Sequence, residues 1–336
     1  MESMQGKRVL FIGPRFFGYE LDIANAFRRR GAEVDMLADR PFESPLMKAA
    51  ARFGRRLILG AVDRFYRREL EKLGRSSYDL VFVINGMTLS HAILTELHRS
   101  FPRARFVLYM WDSFGNRSSA VANLKFFDEC FSFDPDGARE YGLGFRPLFF
   151  AEDPDQPRTG AFEHHLSFIG TCHSDRYAIV SSVKRTLKPG LGFYRYLYLQ
   201  APWVFHVYRW TNPAFRQAKI ADFHFDALPR QVVQEVFRKS RAILDIEHPK
   251  QTGLTIRTIQ TLGASRKLVT TNGRVREYDF FDPANVCVID RKAAKIPDGF
   301  LETPYRPVDP SVLRKYSLDG WLGEILDGRR GSAGPR

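Results

Sequence analysis

Gln251-Thr-Gly-Leu-Thr-Ile-Arg257 runs on through Thr258-Ile-Gln-Thr-Leu-Gly263 to Lys267-Leu-Val-Thr-Thr-Asn272. The stretch reads as a loop, a short helix and a buried strand. Gly253 and Thr255 stand where the helix begins. At that end the first N–H groups lack intrahelical partners and carry about half a positive charge. Such an end can receive a phosphate, and Arg257 on the first turn is placed to add a bidentate contact. The same residues would also suit a helix that needs only a cap. The rest of the chain has to decide between these readings.

On both sides of this stretch, strands alternate with helices. Arg8-Val-Leu-Phe-Ile-Gly13 is an apolar run ending in glycine, followed by a helix over Leu21 to Arg30. Ala32 to Leu37, Tyr78 to Ile84, Arg105 to Trp111 and Glu129 to Phe133 read as further strands. Near-continuous apolar strands separated by helices indicate a parallel sheet covered on both faces. A linker follows at Ala151-Glu-Asp-Pro-Asp-Gln-Pro-Arg-Thr-Gly160, marked by two prolines, a glycine and mixed charge. The pattern then restarts: a strand from Leu166 to Ile169 ending at Gly170, a helix from Asp175 to Leu187, and strands at Ala242–Ile246, Leu268–Thr271 and Val286–Ile289. Residues 190–226 are aromatic-rich and are not ordered by this reading.

The fold class is therefore α/β, with two Rossmann-like, doubly wound domains expected to face an interdomain cleft. The expected bounds are 1–155 and 160–305, then helices over 306–326 and a disordered Gly/Arg/Ser/Pro tail over 327–336. Ligands in such sheets bind beyond the carboxyl ends of the strands. That rule selects Gly13 to Tyr19, Asn85-Gly86, Asp112-Ser113, Asp134, Gly170 to His173, Glu247 to Arg257, and Asn272.

Composition narrows the function class without naming it. The chain has 336 residues, 44% of them apolar, and a formal charge of +13. The charge favours anionic partners: nucleotide phosphates, nucleic acid or an acidic membrane. No apolar run is long enough for a spanning helix, and the start lacks the apolar core of a signal peptide. A cytoplasmic location is expected. Cys130, Cys172 and Cys287 are far apart and odd in number, which fits reduced thiols rather than a zinc site. The basic residues are spread over both halves with no nucleic-acid motif, so no nucleic-acid partner is expected.

Several pieces carry a family resemblance. They are Leu108-Tyr-Met-Trp-Asp-Ser113, Phe131-Ser-Phe-Asp134, Phe145-Arg-Pro-Leu-Phe149, Phe168-Ile-Gly-Thr171, Gln251 to Arg257, Thr271-Asn272, Tyr278-Asp-Phe-Phe281 and Val288-Ile-Asp-Arg291. On these, the chain resembles bacterial GT-B-type glycosyltransferases of lipopolysaccharide or capsular polysaccharide biosynthesis, from about residue 8 to 325. The resemblance implies a nucleotide-sugar donor on the second domain and a glycan or glycolipid acceptor on the first. It also implies a final helix, Ser317 to Leu326, that crosses back to the first domain. It requires no cofactor beyond the donor substrate and no metal. The paired-glutamate motif of the common retaining GT-B families is missing from the second half, so the stereochemical outcome stays open.

Glycosyl transfer needs positive charge for the leaving diphosphate and a base for the acceptor hydroxyl. The donor-binding candidates are Gly170, Thr171, His173, Glu247, Lys250, Gln251, Gly253, Leu254, Thr255, Arg257 and Asn272. Asp112, after a very apolar strand, is the candidate base, with a helix cap as its competing role. His173 is a secondary base candidate. Asp134-Pro-Asp136 and Asp153-Pro-Asp155 match the DxD pattern by which metal-dependent GT-A transferases hold a cation on the diphosphate. Turn chemistry explains both equally well. The basic stretch Pro45 to Arg75 reads as a helix with an apolar side, either packed on the sheet or in peripheral contact with an anionic membrane. A non-catalytic binding or assembly protein of the same fold is the remaining alternative.

Overall fold

The apolar runs fold as parallel strands with helices on their faces. The computed structural model describes residues 3–39, 55–74, 77–116, 118–151, 162–249 and 251–328. They divide into two units: one holds the chain to Pro147 and takes it up again from Leu318, the other runs from Leu148 to Ser317.

Unit 1 comprises β1 (Arg8–Gly13), α1 (Tyr19–Arg29), β2 (Glu33–Ala38), α2 (Arg55–Leu73), β3 (Leu80–Ile84), α3 (His91–Ser100), β4 (Arg105–Met110), β5 (Glu129–Ser132), α4 (Pro135–Tyr141) and β6 (Gly144–Phe145). The strand order is β2-β1-β3-β4-β5-β6, all parallel. Unit 2 comprises β7 (His164–Thr171), α5 (Arg176–Thr186), β8 (Phe193–Tyr198), α6 (Pro202–Thr211), β9 (Phe223–His224), α7 (Arg230–Lys239), β10 (Ser240–Asp245), α8 (Ile256–Gly263), β11 (Lys267–Thr270), β12 (Val286–Val288) and α9 (Pro310–Tyr316). Its order is β12-β11-β10-β7-β8-β9, again all parallel. The last helix, α10 (Leu318–Leu326), belongs to unit 1. Two doubly wound, Rossmann-like units thus match the fold read from the sequence.

The two-residue period of a strand sends alternate side chains to opposite faces, and β3 uses both. Val81 and Val83 join a cluster with Val62, Tyr66 and Leu70 of α2 and Ile93, Leu94 and Leu97 of α3. Phe82 points the other way, its ring 5.5 Å from Phe27 of α1 and 6.0 Å from Trp321 of α10. Trp321 is fully buried and also meets Tyr109 edge-on at 4.8 Å. In unit 2, Ala242 and Leu244 of β10 and the following Ile246 pack with α5. Ile243 packs on the opposite face with Val236 and Phe237 of α7.

Two expectations meet the structure here. The expected linker lies largely in residues outside those described, and the units divide earlier, between Pro147 and Leu148. The reason is packing: Phe149 and Phe150 are buried. The Phe150 N–H donates to the Tyr316 carbonyl at 2.9 Å, and its ring leaves no room for a Cβ at Gly263. The basic stretch Pro45 to Arg75 is described from Arg55 to Gly74. There Val62, Tyr66 and Leu70 are committed to the core, and Arg67 pairs with Glu96 at 3.1 Å. The described part of α2 therefore packs as a surface helix does.

Candidate functional site

In unit 2 the chain proceeds from β7 to β8 and β9 on one side, then returns to β10 on the other. The order reverses between β7 and β10, and the crevice outside their carboxyl ends is where a doubly wound sheet takes its ligand. Gly170, Thr171 and His173 lie at the end of β7. Asp245 and Glu247 lie at the end of β10.

The start of α8 is built onto this crevice. Thr255 is its N-cap, and the Thr255 Oγ1 accepts from the Thr258 N–H at 3.2 Å. The same hydroxyl donates to Asp245 Oδ2 at 2.7 Å, as does that of Thr258. Arg257 Nη1 donates to Asp245 Oδ1 at 3.0 Å. Asp245 is fully buried, whereas the Arg257 side chain is 16% exposed, so an incoming ligand meets the guanidinium and not the carboxylate behind it. The N–H groups of Ile256 and Arg257, at the first two helical positions, have no intrahelical acceptor. Gly170 lies directly beneath the Arg257 fork: a Cβ there would sit 2.8 Å from Nη2.

Two further arginines frame the crevice. Arg176 is buried and donates from Nε to the Ile246 carbonyl at 2.8 Å and from Nη1 to the Thr171 carbonyl at 2.9 Å. It ties together the ends of the two strands that bound the crevice. Burial first, and then the neighbouring Arg257, lower the Arg176 guanidinium to about 10. Arg291 forms a bidentate pair with Asp175, 2.6 Å from Nε and 3.1 Å from Nη2. It also bonds the Glu247 carboxylate and, at 2.7 Å, the Glu247 carbonyl. Burial opposes the Arg291 charge, but Asp175 and Glu247 together hold it above its ordinary value. Glu247 also accepts from Thr271, yet burial outweighs these partners and lifts its carboxyl above the usual range.

His173 packs against His248 with ring centroids 5.4 Å apart, and its Nδ1 lies 2.7 Å from the Ser174 hydroxyl. Burial, then Arg176 and His248, push its imidazole down to about 3. At neutral pH it is an uncharged ring that can orient a polar group.

The remaining predicted residues of unit 2 that are described also lie along this edge. Asn272 donates from Nδ2 to the Thr252 carbonyl at 3.2 Å and the Gly253 carbonyl at 3.4 Å. Gln251 Nε2 reaches the Gly253 carbonyl at 3.0 Å. These bonds shape the loop leading into α8. Leu254 is buried and its side chain serves the core. Lys250 lies outside the described residues. Asp175, Arg176, Asp245 and Arg291 have no role in the sequence reading. For Asp245 alone a signal exists: a carboxylate within the apolar run Ala242 to Ile246, ahead of two threonines and an arginine.

Asp112 lies in unit 1, just beyond β4. Asn85 Nδ2 donates to Asp112 Oδ2 at 3.3 Å, and Asn85 Oδ1 accepts from the Trp111 N–H at 3.1 Å. Asn85 is buried and left-handed, with φ 62°, a conformation asparagine tolerates better than most residues. It positions the Asp112 carboxylate from the end of β3. Phe16, beyond β1, lies 6.0 Å from the Trp111 ring and is 45% exposed. Asp134 caps α4, accepting from the Asp136 N–H at 3.1 Å and the Gly137 N–H at 3.4 Å. Among the described residues no three or more His, Cys, Asp or Glu side chains are grouped to hold a metal ion. Asp153 and Asp155 lie outside those residues.

No family model matches the sequence, and no curated protein matches it. Among solved structures, the glycotransferase of kitacinnamycin is 10% identical at a TM-score of 0.47, over 96% of this chain and 99% of that one. The calicheamicin glycosyltransferase CalG4 is 12% identical at 0.42, over 97% and 93%. Arabidopsis thaliana UGT89C1 complexed with UDP is 11% identical at 0.48, over 96% and 99%.

Proposed function

We propose that the chain is a GT-B-type glycosyltransferase that moves a sugar from a nucleotide-sugar donor to a glycan or lipid-linked glycan acceptor in surface polysaccharide biosynthesis. The observation that carries this reading is the capped start of α8. It has two N–H groups without intrahelical acceptors and the Arg257 guanidinium in front of a buried carboxylate, set where the strand order of unit 2 reverses. A diphosphate is the ligand such an end receives best.

In this reading the bond between the anomeric carbon and the diphosphate oxygen breaks, and its electron pair leaves with the nucleoside diphosphate. The α8 N–H groups and Arg257 take up that charge, already oriented before it develops. The acceptor oxygen bonds the anomeric carbon and gives its proton to Asp112. Glu247, held by Thr271 and Arg291, accepts from hydroxyls of the ribose or donor sugar. Thr171, His173, Gln251, Asn272 and the backbone of Gly253 and Leu254 shape the same site. No helix among the described residues is long and apolar enough to cross a membrane. A lipid-linked acceptor would be met by peripheral contact at the inner face of the cytoplasmic membrane.

The test is thermal unfolding against a panel of nucleoside diphosphates and nucleotide sugars. A ligand at 100 times its Kd stabilises the native state by about 2.7 kcal/mol. We expect one nucleotide to do so and Arg257→Ala to cut the stabilisation to about 1.4 kcal/mol or less at the same ligand concentration. If no member of the panel shifts the transition, the donor site is refuted. Nucleotide binding with no turnover of any donor across an acceptor panel would favour the non-catalytic alternative.

A further inference from the structure

Helix α6 is amphipathic twice over. Val204 and Phe205 are buried, and Tyr208 packs on the same core. On the other side Trp203, Val207 and Trp210 are 67%, 46% and 90% exposed. At about 100° per residue, positions 203, 207 and 210 fall within roughly 60° of arc, so they form one stripe. The two indoles are about 10 Å apart along the axis. Single exposed apolar residues are ordinary, but an aligned pair of nearly bare tryptophans on a core-packed helix is not.

Between Asp175 and Asp222 the chain carries eight Lys or Arg and no Asp or Glu. Of these cations Arg176 is buried and Lys188 pairs with Glu302, and Asp222 itself accepts from the Lys219 N–H. Arg209 on the helix, and Arg216 and Lys219 just after it, are exposed. Ile220, next to Lys219, is 42% exposed. The segment bearing Arg216 and Lys219 is fixed against α6 through Phe215, whose ring lies 5.0 Å from Tyr208.

We propose that the Trp203–Val207–Trp210 face of α6 docks on an anionic lipid bilayer, with Arg209, Arg216 and Lys219 against the headgroups. Size decides against a protein partner. A ten-residue helix face offers on the order of 150 Å², while a specific protein interface buries about 800 Å² per partner. A bilayer surface needs no such area. A few interfacial side chains suffice when cations add electrostatic attraction, and tryptophan is the residue most at home at headgroup depth. This surface is separate from α2, and it stands whether or not unit 2 binds a nucleotide.

The experiment is co-sedimentation of the full chain, without nucleotide, at low salt. It uses vesicles of phosphatidylcholine alone or with about a third phosphatidylglycerol. The parent protein should partition onto the mixed vesicles and not onto phosphatidylcholine. Trp203→Ser with Trp210→Ser should lower the partition coefficient at least about tenfold. Arg209→Gln, Arg216→Gln and Lys219→Gln should each lower it about fivefold. All five positions are exposed, so the variants should keep the parent's unfolding temperature. Shallow nitroxide-labelled lipids should quench tryptophan emission in the parent and not in the double variant. Failure of the parent to bind mixed vesicles would overturn the proposal. So would equal binding by the Trp203→Ser/Trp210→Ser protein, which would move the contact to another basic surface such as α2. Parent self-association in sedimentation velocity, lost in that variant, would make the face a contact between copies and would overturn it as well.

Discussion

Replacing Arg257 by alanine separates binding from folding, because the structure gives different magnitudes for the two. Asp245 is fully buried and loses one of three donors, keeping the Thr255 and Thr258 hydroxyls at 2.7 Å. Breaking a buried pair from one side costs about 3–5 kcal/mol. The two remaining hydroxyls place this case at the lower end, about 3 kcal/mol, within the 5–15 kcal/mol typical of a domain. The protein should fold, with its midpoint lowered by roughly 6–12 °C. The lost contact to the ligand is a charge-assisted hydrogen bond of about 1.5–3 kcal/mol, so the Kd for the nucleoside diphosphate should rise about 10- to 150-fold. Calorimetric titration reads this directly. Arg257→Lys should recover part of the affinity, because it keeps the charge but not the fork. Asp245→Asn should lower stability while leaving the guanidinium in place, and should keep most of the affinity. A folded Arg257→Ala protein whose Kd stays within about twofold of the parent refutes the diphosphate role. Equal losses in Arg257→Ala and Asp245→Asn would trace the effect to a disordered α8 instead.

Gly170→Ala places a Cβ 2.8 Å from Arg257 Nη2; overpacking of this kind costs roughly 1–3 kcal/mol. Nucleotide affinity should fall about fivefold or more, and unchanged affinity would mean that Arg257 works from another position. Asp112→Asn keeps the shape that Asn85 holds but removes proton acceptance, so turnover should fall about 100-fold or more with nucleotide binding intact; normal turnover with lower stability would make Asp112 structural. His173 sits near 3 in the folded protein against an ordinary 6.5. The unfolded chain therefore binds the extra proton between those values, and stability present above pH 6.5 is lost as the pH falls. His173→Asn should shrink the drop in unfolding free energy between pH 7 and pH 5 by about 1–2 kcal/mol, after allowing for partial exposure; an unchanged drop would show that the ring is solvated.

Much of this architecture is legible because parallel strands buried on both faces leave unbroken apolar runs. Leu80–Ile84 and Arg105–Met110 are such runs, and both are strands. The region from residue 190 to 226 resists the same reading for physical reasons. Strand β8, Phe-Tyr-Arg-Tyr-Leu-Tyr, is mostly half-exposed, and β9 has only two residues. On α6, apolar residues occupy both the core side and the solvent side, so no single stripe marks a helix. Gly253, Thr255 and Arg257 outline the candidate donor site in the sequence, since helix-start chemistry is local. Arg176 and Arg291 stay hidden there, because each depends on a distant partner, Ile246 for Arg176 and Asp175 for Arg291, 70 and 116 residues away. A guanidinium bonded to strand-end carbonyls has no signature until the strands are in place.

The burial of Trp321 has a consequence for synthesis. Unit 1 is encoded on both sides of unit 2, and its core is open at Phe82 and Tyr109 until Trp321 arrives. Arg105 likewise waits for the Leu326 carbonyl, 221 residues downstream. Domains made in one stretch fold as they leave the ribosome, first in, first folded. Here that order is interrupted: unit 1 cannot complete its core until unit 2 has been translated. The nascent chain thus carries an unfinished apolar surface through the translation of an entire second unit, until Leu318 to Leu326 docks.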